Sequence, residues 1–141
     1  MRPRITIQNA DRVRAAIKQY GEAVERGVRR LIQAAALKAV TDVKKRIQGP
    51  PKTGIIYERG KIKHQSSADG EAPATDTGTL VSSIYYIGAK SPRIGSRLPY
   101  AFYLEYGTMM MRPRPSWVHA VVMARNNLNK EIDGLLKALN K

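Results

Sequence analysis

The stretch from residue 13 to residue 51, VRAAIKQYGEAVERGVRRLIQAAALKAVTDVKKRIQGPP, decides the fold of this chain. Its apolar residues recur at steps of three or four, which is the period of an α-helix, and the pattern stops at Ile47. The Gly-Pro-Pro run at residues 49–51 ends it, because proline cannot continue a helix. The stretch predicts one amphipathic helix, roughly 55–60 Å long if unbroken, with Gly21 or Gly27 as the site of a bend.

Towards the N-terminus, the sequence predicts a short strand and a helix cap. Residues Arg4–Ile7 alternate and are rich in β-branched side chains, which is typical of a strand. Asn9 or Asp11 is the expected cap of the helix that follows. The polar face of this helix is strongly basic. Such a face either lies in solvent or contacts a partner, and the sequence leaves both alternatives open.

Residues 49–75 are rich in proline, glycine and small polar residues, and a loop of this length in a small domain is usually functional or disordered. A short hairpin is expected within it, with its turn at residues 58–60. Seven basic residues and one acidic residue lie between Lys44 and Lys63, a local charge of +6. We expect a mobile basic arm that contacts DNA or a neighbouring subunit through Lys52, Arg59, Lys61 and Lys63.

The C-terminal half predicts strands followed by two helices. Residues 80–87 predict a strand, and residues 94–98 predict the strand that returns beside it. A short helix ended by Gly107 is expected at residues 100–106, and Ser116 is expected to cap a final helix.

The predicted fold class is therefore α+β, in a single domain over residues 1–141. A small antiparallel sheet is expected to pack against a long N-terminal helix and a C-terminal helix. A long extended arm is expected between the first helix and the sheet.

The charge balance of the chain points to a polyanion partner. Lys and Arg number 25 against 11 Asp and Glu, a net charge of +14 at pH 7. This excess favours nucleic acid, an anionic membrane surface or an acidic protein, and the alternative is a basic protein kept in solution by its charge. The absence of cysteine excludes disulfides, Cys-based zinc sites and a cysteine nucleophile. Because no signal-peptide core or membrane-length apolar run is present, we expect a cytoplasmic protein without membrane contact.

Catalytic and metal-binding patterns are not evident in the sequence. His64 and His119 are its two histidines, and neither has a carboxylate within one helical turn. We expect no enzyme activity and no cofactor, and the rival hypothesis is a basic ribonuclease or toxin that uses His64 or His119. No base-reading motif is recognisable, so any contact with nucleic acid is expected at the phosphates.

Two motifs in the second half carry a resemblance to a known family. One is GEAPATDTGTLVSSI at residues 70–84, and the other is YAFYLEYGT at residues 100–108, followed by MRPRP and a helix. They resemble motifs of the neck and tail-completion proteins of tailed phages, the family of gene product 10 of the lambdoid phage Hong Kong 97. The order of elements matches over nearly the whole chain, and the specific motifs cover about residues 70–120. Arg114 departs from the pattern, which usually has Phe or Tyr there.

The resemblance implies a structural virion protein that forms a ring of six or twelve copies at the head–tail junction. Its implied partners are other phage neck, connector and tail-tube proteins, with genomic DNA passing through the lumen and the host cytoplasm as the place of assembly. Tail terminator, head-closure ring and neck adaptor stay open. The alternative function is a free, sequence-nonspecific nucleic-acid-binding protein. The resemblance assigns structural roles to Thr77, Gly78, Leu80, Ser83, Glu105, Gly107, Thr108, Arg112 and Pro113.

Subunit packing is expected at the aromatic residues of the second motif. Tyr100, Tyr103 and Tyr106 are spaced by three and so share one face of a helix, and Trp117 is expected to join them. The alternative is that this face packs against the chain's own sheet. Glu105 is expected to pair with a basic residue or to cap a backbone amide.

Overall fold

This computed structural model describes residues 10–49, 52–88 and 91–139. These residues contain four helices and two antiparallel pairs of strands. In chain order they are α1 (Ala10–Gln48), β1 (Ile56–Arg59), β2 (Ile62–Gln65), α2 (Thr79–Ser83), β3 (Ile84–Ile87), β4 (Arg93–Ser96), α3 (Tyr100–Tyr106) and α4 (Trp117–Leu139). The predicted α+β class, with its long first and last helices, is confirmed. The strand predicted at Arg4–Ile7 and the cap predicted at Asn9 lie outside the described residues.

Helix α1 is a single helix of 39 residues that continues through Gly21 and Gly27. Its burial is uneven along its length. Val43 and Ile47 are 0% and 1% exposed, whereas the side chains of residues 14–23 are all exposed. Because α1 contains few buried residues before its last third, most of its apolar stripe is left without a full cover in the single chain.

The core lies where the end of α1 meets α2, β3, α3 and the start of α4. Its buried residues are Val43, Ile47, Leu80, Ile84, Ala101 and Ala120. Helix α4 runs antiparallel along α1, so that residues 121–128 face residues 32–39, and residues 132–138 face residues 20–28. The two helices therefore separate from the core and continue together away from it.

The strand predicted at residues 80–87 is wrong in its first half, where the chain forms α2. Gly78 adopts a left-handed conformation with φ of 76° directly before this helix. The hydroxyls of Ser82 and Ser83 donate to the carbonyl oxygens of Thr79 and Leu80 at 2.9 and 2.7 Å. These local bonds suit a helical turn and compete with a strand. The strand begins only at Ile84.

The strands form two separate two-stranded sheets. Strands β1 and β2 pair from Ile56 opposite Gln65 to Arg59 opposite Ile62, which confirms the predicted hairpin. Strands β3 and β4 pair with Ile84 opposite Ser96, so the predicted return strand is also confirmed. The segment expected to be an extended arm is therefore built around a hairpin.

Glu105 fixes the short helix α3 to the start of α4. Its Oε2 accepts hydrogen bonds from the amides of Ser116 and Trp117 at 2.7 and 3.0 Å, and its Oε1 accepts one from the Val118 amide at 2.8 Å. These amides lack partners within α4, and a carboxylate at a helix N-terminus is favoured by the helix dipole. The prediction that Glu105 caps a backbone amide is confirmed.

The prediction that Ser116 caps α4 with its own side chain is wrong. Its hydroxyl is buried and makes no hydrogen bond within the described part of the chain. The carboxylate of Glu105 already takes the Val118 amide, one of the two amides that a serine cap would bind. A charged acceptor on a neighbouring helix has replaced the local cap.

Replacing Glu105 with alanine should lower the free energy of unfolding by about 2–4 kcal/mol, because three amides at the start of α4 lose a buried acceptor. Glu105→Gln should have a smaller effect, since one side-chain oxygen remains. Urea unfolding followed by circular dichroism measures both. The exposed Glu131 of α4 provides the control variant Glu131→Ala, which should change little. An equal effect of Glu105→Ala and Glu131→Ala would contradict this role for Glu105.

Candidate functional site

One side of helix α3 exposes aromatic side chains to solvent, and the opposite side is buried against the rest of the chain. Phe102, Tyr103 and Tyr106 are 63%, 53% and 62% exposed, whereas Ala101 and Glu105 are buried. The rings of Phe102 and Tyr106 lie 4.7 Å apart between centroids, so they form one continuous surface. The predicted alternative, that this face packs on the chain's own sheet, does not hold for Tyr103 and Tyr106.

The four aromatic residues predicted for subunit packing do not form one cluster. Tyr106 and Trp117 line the same surface depression of 460 Å³, together with Phe102. Trp117 is partly buried and packs against the core. Tyr100 is 43% exposed and lines a different depression, beside Asp76 and Leu104.

Directly after α3, residues 107–111 form a tight turn that we call the methionine turn. The amide of Thr108 donates to the carbonyl of Met111 at 2.8 Å, and the Met111 amide returns a bond of 3.3 Å to the Thr108 carbonyl. The Met110 amide donates to the Thr108 hydroxyl at 3.2 Å. Met109 and Met110 at its tip are 103% and 96% exposed, so neither is covered by its own chain.

Gly107 and Pro113 hold the methionine turn in place. Gly107 ends α3 as predicted, with φ of 77° and its amide donating to the Tyr103 carbonyl at 2.8 Å. A Cβ atom on Gly107 would lie 2.7 Å from the Met111 carbonyl oxygen and 3.0 Å from the Pro113 ring, so a larger residue does not fit. The turn is therefore a fixed support for its two exposed methionines.

The remaining motif residues make contacts within the fold. Leu80 is buried in the core, and the Ser83 hydroxyl lies 2.6 Å from that of Ser96 on β4. Thr77 and Thr79 share a hydrogen bond of 2.6 Å at the start of α2. Arg112 lies 3.7 Å from the Asp69 carboxylate, and the Pro113 carbonyl accepts a bond of 3.0 Å from the Gly70 amide.

The basic residues predicted to contact DNA are mostly engaged within the chain. Arg59 lies 3.3 Å from Asp76, and Lys63 lies 3.0 Å from Glu58 across the hairpin. Lys52 donates to the carbonyl of Arg46 at 2.9 Å near the end of α1. Lys61 lies in the turn of the hairpin and makes no ion pair within the described residues. These exposed pairs are weak individually, so they leave the basic side chains able to exchange partners.

Glu71 closes the base of the hairpin segment. Its carboxylate accepts bonds from the amide and hydroxyl of Thr53, the amide bond being 3.0 Å, and from the Ala68 amide at 2.8 Å. The hydrogen bonds from the Thr53 hydroxyl, the Ala68 amide and the Thr53 amide lower the pKa of Glu71 to about 2. Burial lowers the pKa of the nearby Lys52, and the charge of Glu71 opposes that shift.

The sequence did not predict the hydrogen bonds of Glu71. It also did not predict a second contact, which joins the hairpin segment to the rest of the fold. The Arg114 guanidinium donates to the buried Ser67 hydroxyl at 3.0 Å, and the Arg114 amide donates to the Leu104 carbonyl at 2.7 Å. Arg114, the residue that departs from the family pattern, therefore links that segment to α3. Its position between two prolines was the only sequence signal.

An apolar groove lies between α1 and α4, far from the core. We call it the helix groove. It has a volume of 330 Å³ and is lined by Tyr20, Val24, Val28, Ile132, Leu135 and Leu136, together with small residues. Leu135 and Leu136 are 42% and 53% exposed, so the groove is open to solvent.

The two histidines lie on different elements, His64 on β2 and His119 on α4. His64 lies 3.9 Å from Asp76, which also contacts Arg59, and His119 is exposed on α4. No group of three or more His, Cys, Asp or Glu residues suited to a metal ion occurs among the described residues. Within the same ranges, no helix has the length and apolar character needed to cross a membrane.

Comparison of the chain with protein-family models, curated proteins and solved structures finds no match in any of the three.

Glu71→Gln should loosen the base of the hairpin, because it removes the charge that attracts the Thr53 and Ala68 amides. Since the pKa of Glu71 is lowered in the fold, its contribution to stability is present above the ordinary carboxyl pKa of 4.5 and is lost as pH falls through about 2. NMR titration of the Glu71 carboxyl carbon measures this midpoint. A Glu71 midpoint near 4.5 would contradict the hydrogen-bonded geometry.

Proposed function

We propose that this chain is a structural virion protein that forms a ring at the phage head–tail junction and joins head to tail around the DNA channel. The observation that carries the assembly part of the proposal is the exposed apolar surface. Among the described residues, twenty large apolar side chains are exposed, whereas eight apolar residues are buried. Exposed apolar surface on this scale is what we expect of a subunit whose folded form is completed by its neighbours.

The exposed apolar surface lies in separate places, which favours more than one interface per subunit. One part is formed by α3 and the methionine turn, and another by the helix groove between α1 and α4. A ring subunit contributes two different faces, one to each neighbour, whereas a subunit of a simple two-fold dimer contributes one.

The composition of the exposed surface is also that of an interface. Aromatic and methionine side chains, which are enriched at protein interfaces, are exposed together on α3 and the methionine turn. Exposed isoleucine and tyrosine side chains cover the hairpin, namely Ile55, Ile56, Tyr57 and Ile62. Isolated two-stranded hairpins are marginally stable in water, so a neighbour that covers this one would stabilise it.

The phage location rests on the resemblance and on the charge. A net charge of +14 suits a protein that surrounds DNA, and the engaged basic residues of the hairpin suit weak contacts with phosphates that do not read sequence. Weak contacts allow the genome to move through the lumen.

The same charge favours the second candidate function, a free nucleic-acid-binding protein. The two functions predict different complexes in solution. A ring protein associates with itself through its apolar faces in the absence of DNA, whereas a free binding protein stays small and associates with DNA.

Light-scattering mass and negative-stain images of the purified chain, with and without duplex DNA, test the proposal. We expect annular particles of six or twelve subunits that added DNA changes little, because the interfaces are apolar. Raising the salt concentration should leave these particles intact and abolish any DNA binding. A monomer or dimer that binds free DNA tightly would contradict the ring and favour the second function.

A further inference from the structure

Arg114 carries a partly buried positive charge that no carboxylate in the described part of the chain balances. Its guanidinium donates to the Ser67 hydroxyl at 3.0 Å, and its Nε atom is buried without a hydrogen-bond partner among the described residues. None of the ion pairs within those residues includes Arg114. Arg29 is the other described arginine that is not exposed, and it pairs with Glu25. Because a charge removed from water without a partner is costly, the position of Arg114 favours a site for an anion.

Arg114 lines a pocket between the hairpin, the loop before α2 and the start of α3, which we call the arginine pocket. Its volume is 350 Å³, which is about twelve times that of a water molecule in the liquid and leaves room for a phosphate group. The other residues that line it include Arg59 and His64 of the hairpin, Tyr100 of α3, and Thr75, Thr77 and Thr79. Guanidinium and hydroxyl groups are side-chain donors that proteins commonly direct at phosphate oxygens.

The arginine pocket has an excess of positive charge. Asp76 is the one acidic residue that lines it, and its carboxylate lies 3.3 Å from Arg59 and 3.9 Å from His64. One carboxylate therefore faces two guanidinium groups and is already engaged by the one on Arg59. The guanidinium of Arg114 is left for a ligand. Because a guanidinium holds its N–H donors in a fixed plane, it binds a phosphate through paired hydrogen bonds.

We propose that the arginine pocket binds a phosphate group, held by Arg114 at its base and by Arg59 at its rim. The Arg59 side chain is 78% exposed, and an exposed ion pair such as that with Asp76 is weak, so Arg59 exchanges its partner at little cost. The inference goes beyond the proposed function, because the pocket belongs to a single copy and needs no ring. The DNA backbone and a small free phosphate are two sources of the same chemical group.

Isothermal titration calorimetry of the natural chain with inorganic phosphate, at an ionic strength held constant with chloride, tests the pocket. Arg114→Gln should weaken phosphate binding about tenfold or more, since the bonds of a charged donor to the phosphate are lost. The matched control is Arg93→Gln, which removes the same charge from an exposed position of β4 outside the pocket. It should change the affinity less than about twofold. The absence of any heat of binding, or equal affinities of the two variants, would overturn the inference.

Two further variants keep the test independent of any change in folding at Arg114. Arg59→Gln lies at an exposed position, so it should leave the circular dichroism spectrum unchanged and weaken phosphate binding several-fold. Asp76→Asn removes the carboxylate that competes for Arg59, so it should strengthen phosphate binding several-fold. An Arg59→Gln variant that binds phosphate as tightly as the natural chain would count against the pocket, as would weaker binding by Asp76→Asn.

A labelled DNA duplex distinguishes the two sources of the phosphate group. If the group belongs to the DNA backbone, inorganic phosphate should displace the duplex at constant ionic strength, and Arg114→Gln should weaken duplex binding more than Arg93→Gln does. If the pocket takes a small free phosphate, the two variants should bind the duplex equally and still differ in the calorimeter. Either result supports the pocket. Rings of a natural chain that binds no phosphate would overturn this inference alone and leave the proposed function standing.

Discussion

The bonds between the Glu105 carboxylate and the first amides of α4 are the interaction on which the rest of the structure depends. They join α3 to α4 at a buried position, where a charge without partners would be costly. With α3 fixed, Ala101 faces the core and the aromatic side chains face solvent. Helix α4 starts at this point and runs antiparallel along α1, in contact with it. One carboxylate thus joins the exposed aromatic surface to the helix pair.

The distribution of apolar surface follows from this arrangement. The core occupies only the last third of α1 and the elements near it, while α1 and α4 continue past it and leave an open groove between them. A chain of this size gains its stability from buried apolar area, and this chain buries little of it alone. In the proposed assembly, neighbouring copies cover the part of α1 that the core of the chain does not use.

Periodic features of the sequence predicted the helices of the fold. They did not predict which residues distant in the sequence contact one another. The three- and four-residue spacing of apolar side chains placed α1 and α4, and Gly107 marked the end of α3. The choice between strand and helix at residues 79–83 depended on serine hydroxyls that bond locally, a weak signal beside an apolar run. Glu71 bonds to Thr53 across 18 residues, and the Arg114 guanidinium bonds to Ser67 across 47. For Glu105, the sequence predicted a cap on a backbone amide but not that the amides are those at the start of α4. Such hydrogen bonds leave no period in the sequence.

The sequence predicted only part of the candidate surface, because the rest depends on how the helices pack. The tyrosines of α3 were recognised from their spacing, but the exposure of Phe102 depends on which side of the helix Glu105 anchors. The groove between α1 and α4 needs both helices in place, so neither stripe alone revealed it. Native mass spectrometry of the natural chain without DNA measures whether it assembles with itself into a closed ring. We expect one dominant species of six or twelve subunits. A spectrum that contains only monomer, however concentrated the protein, would contradict the proposed ring.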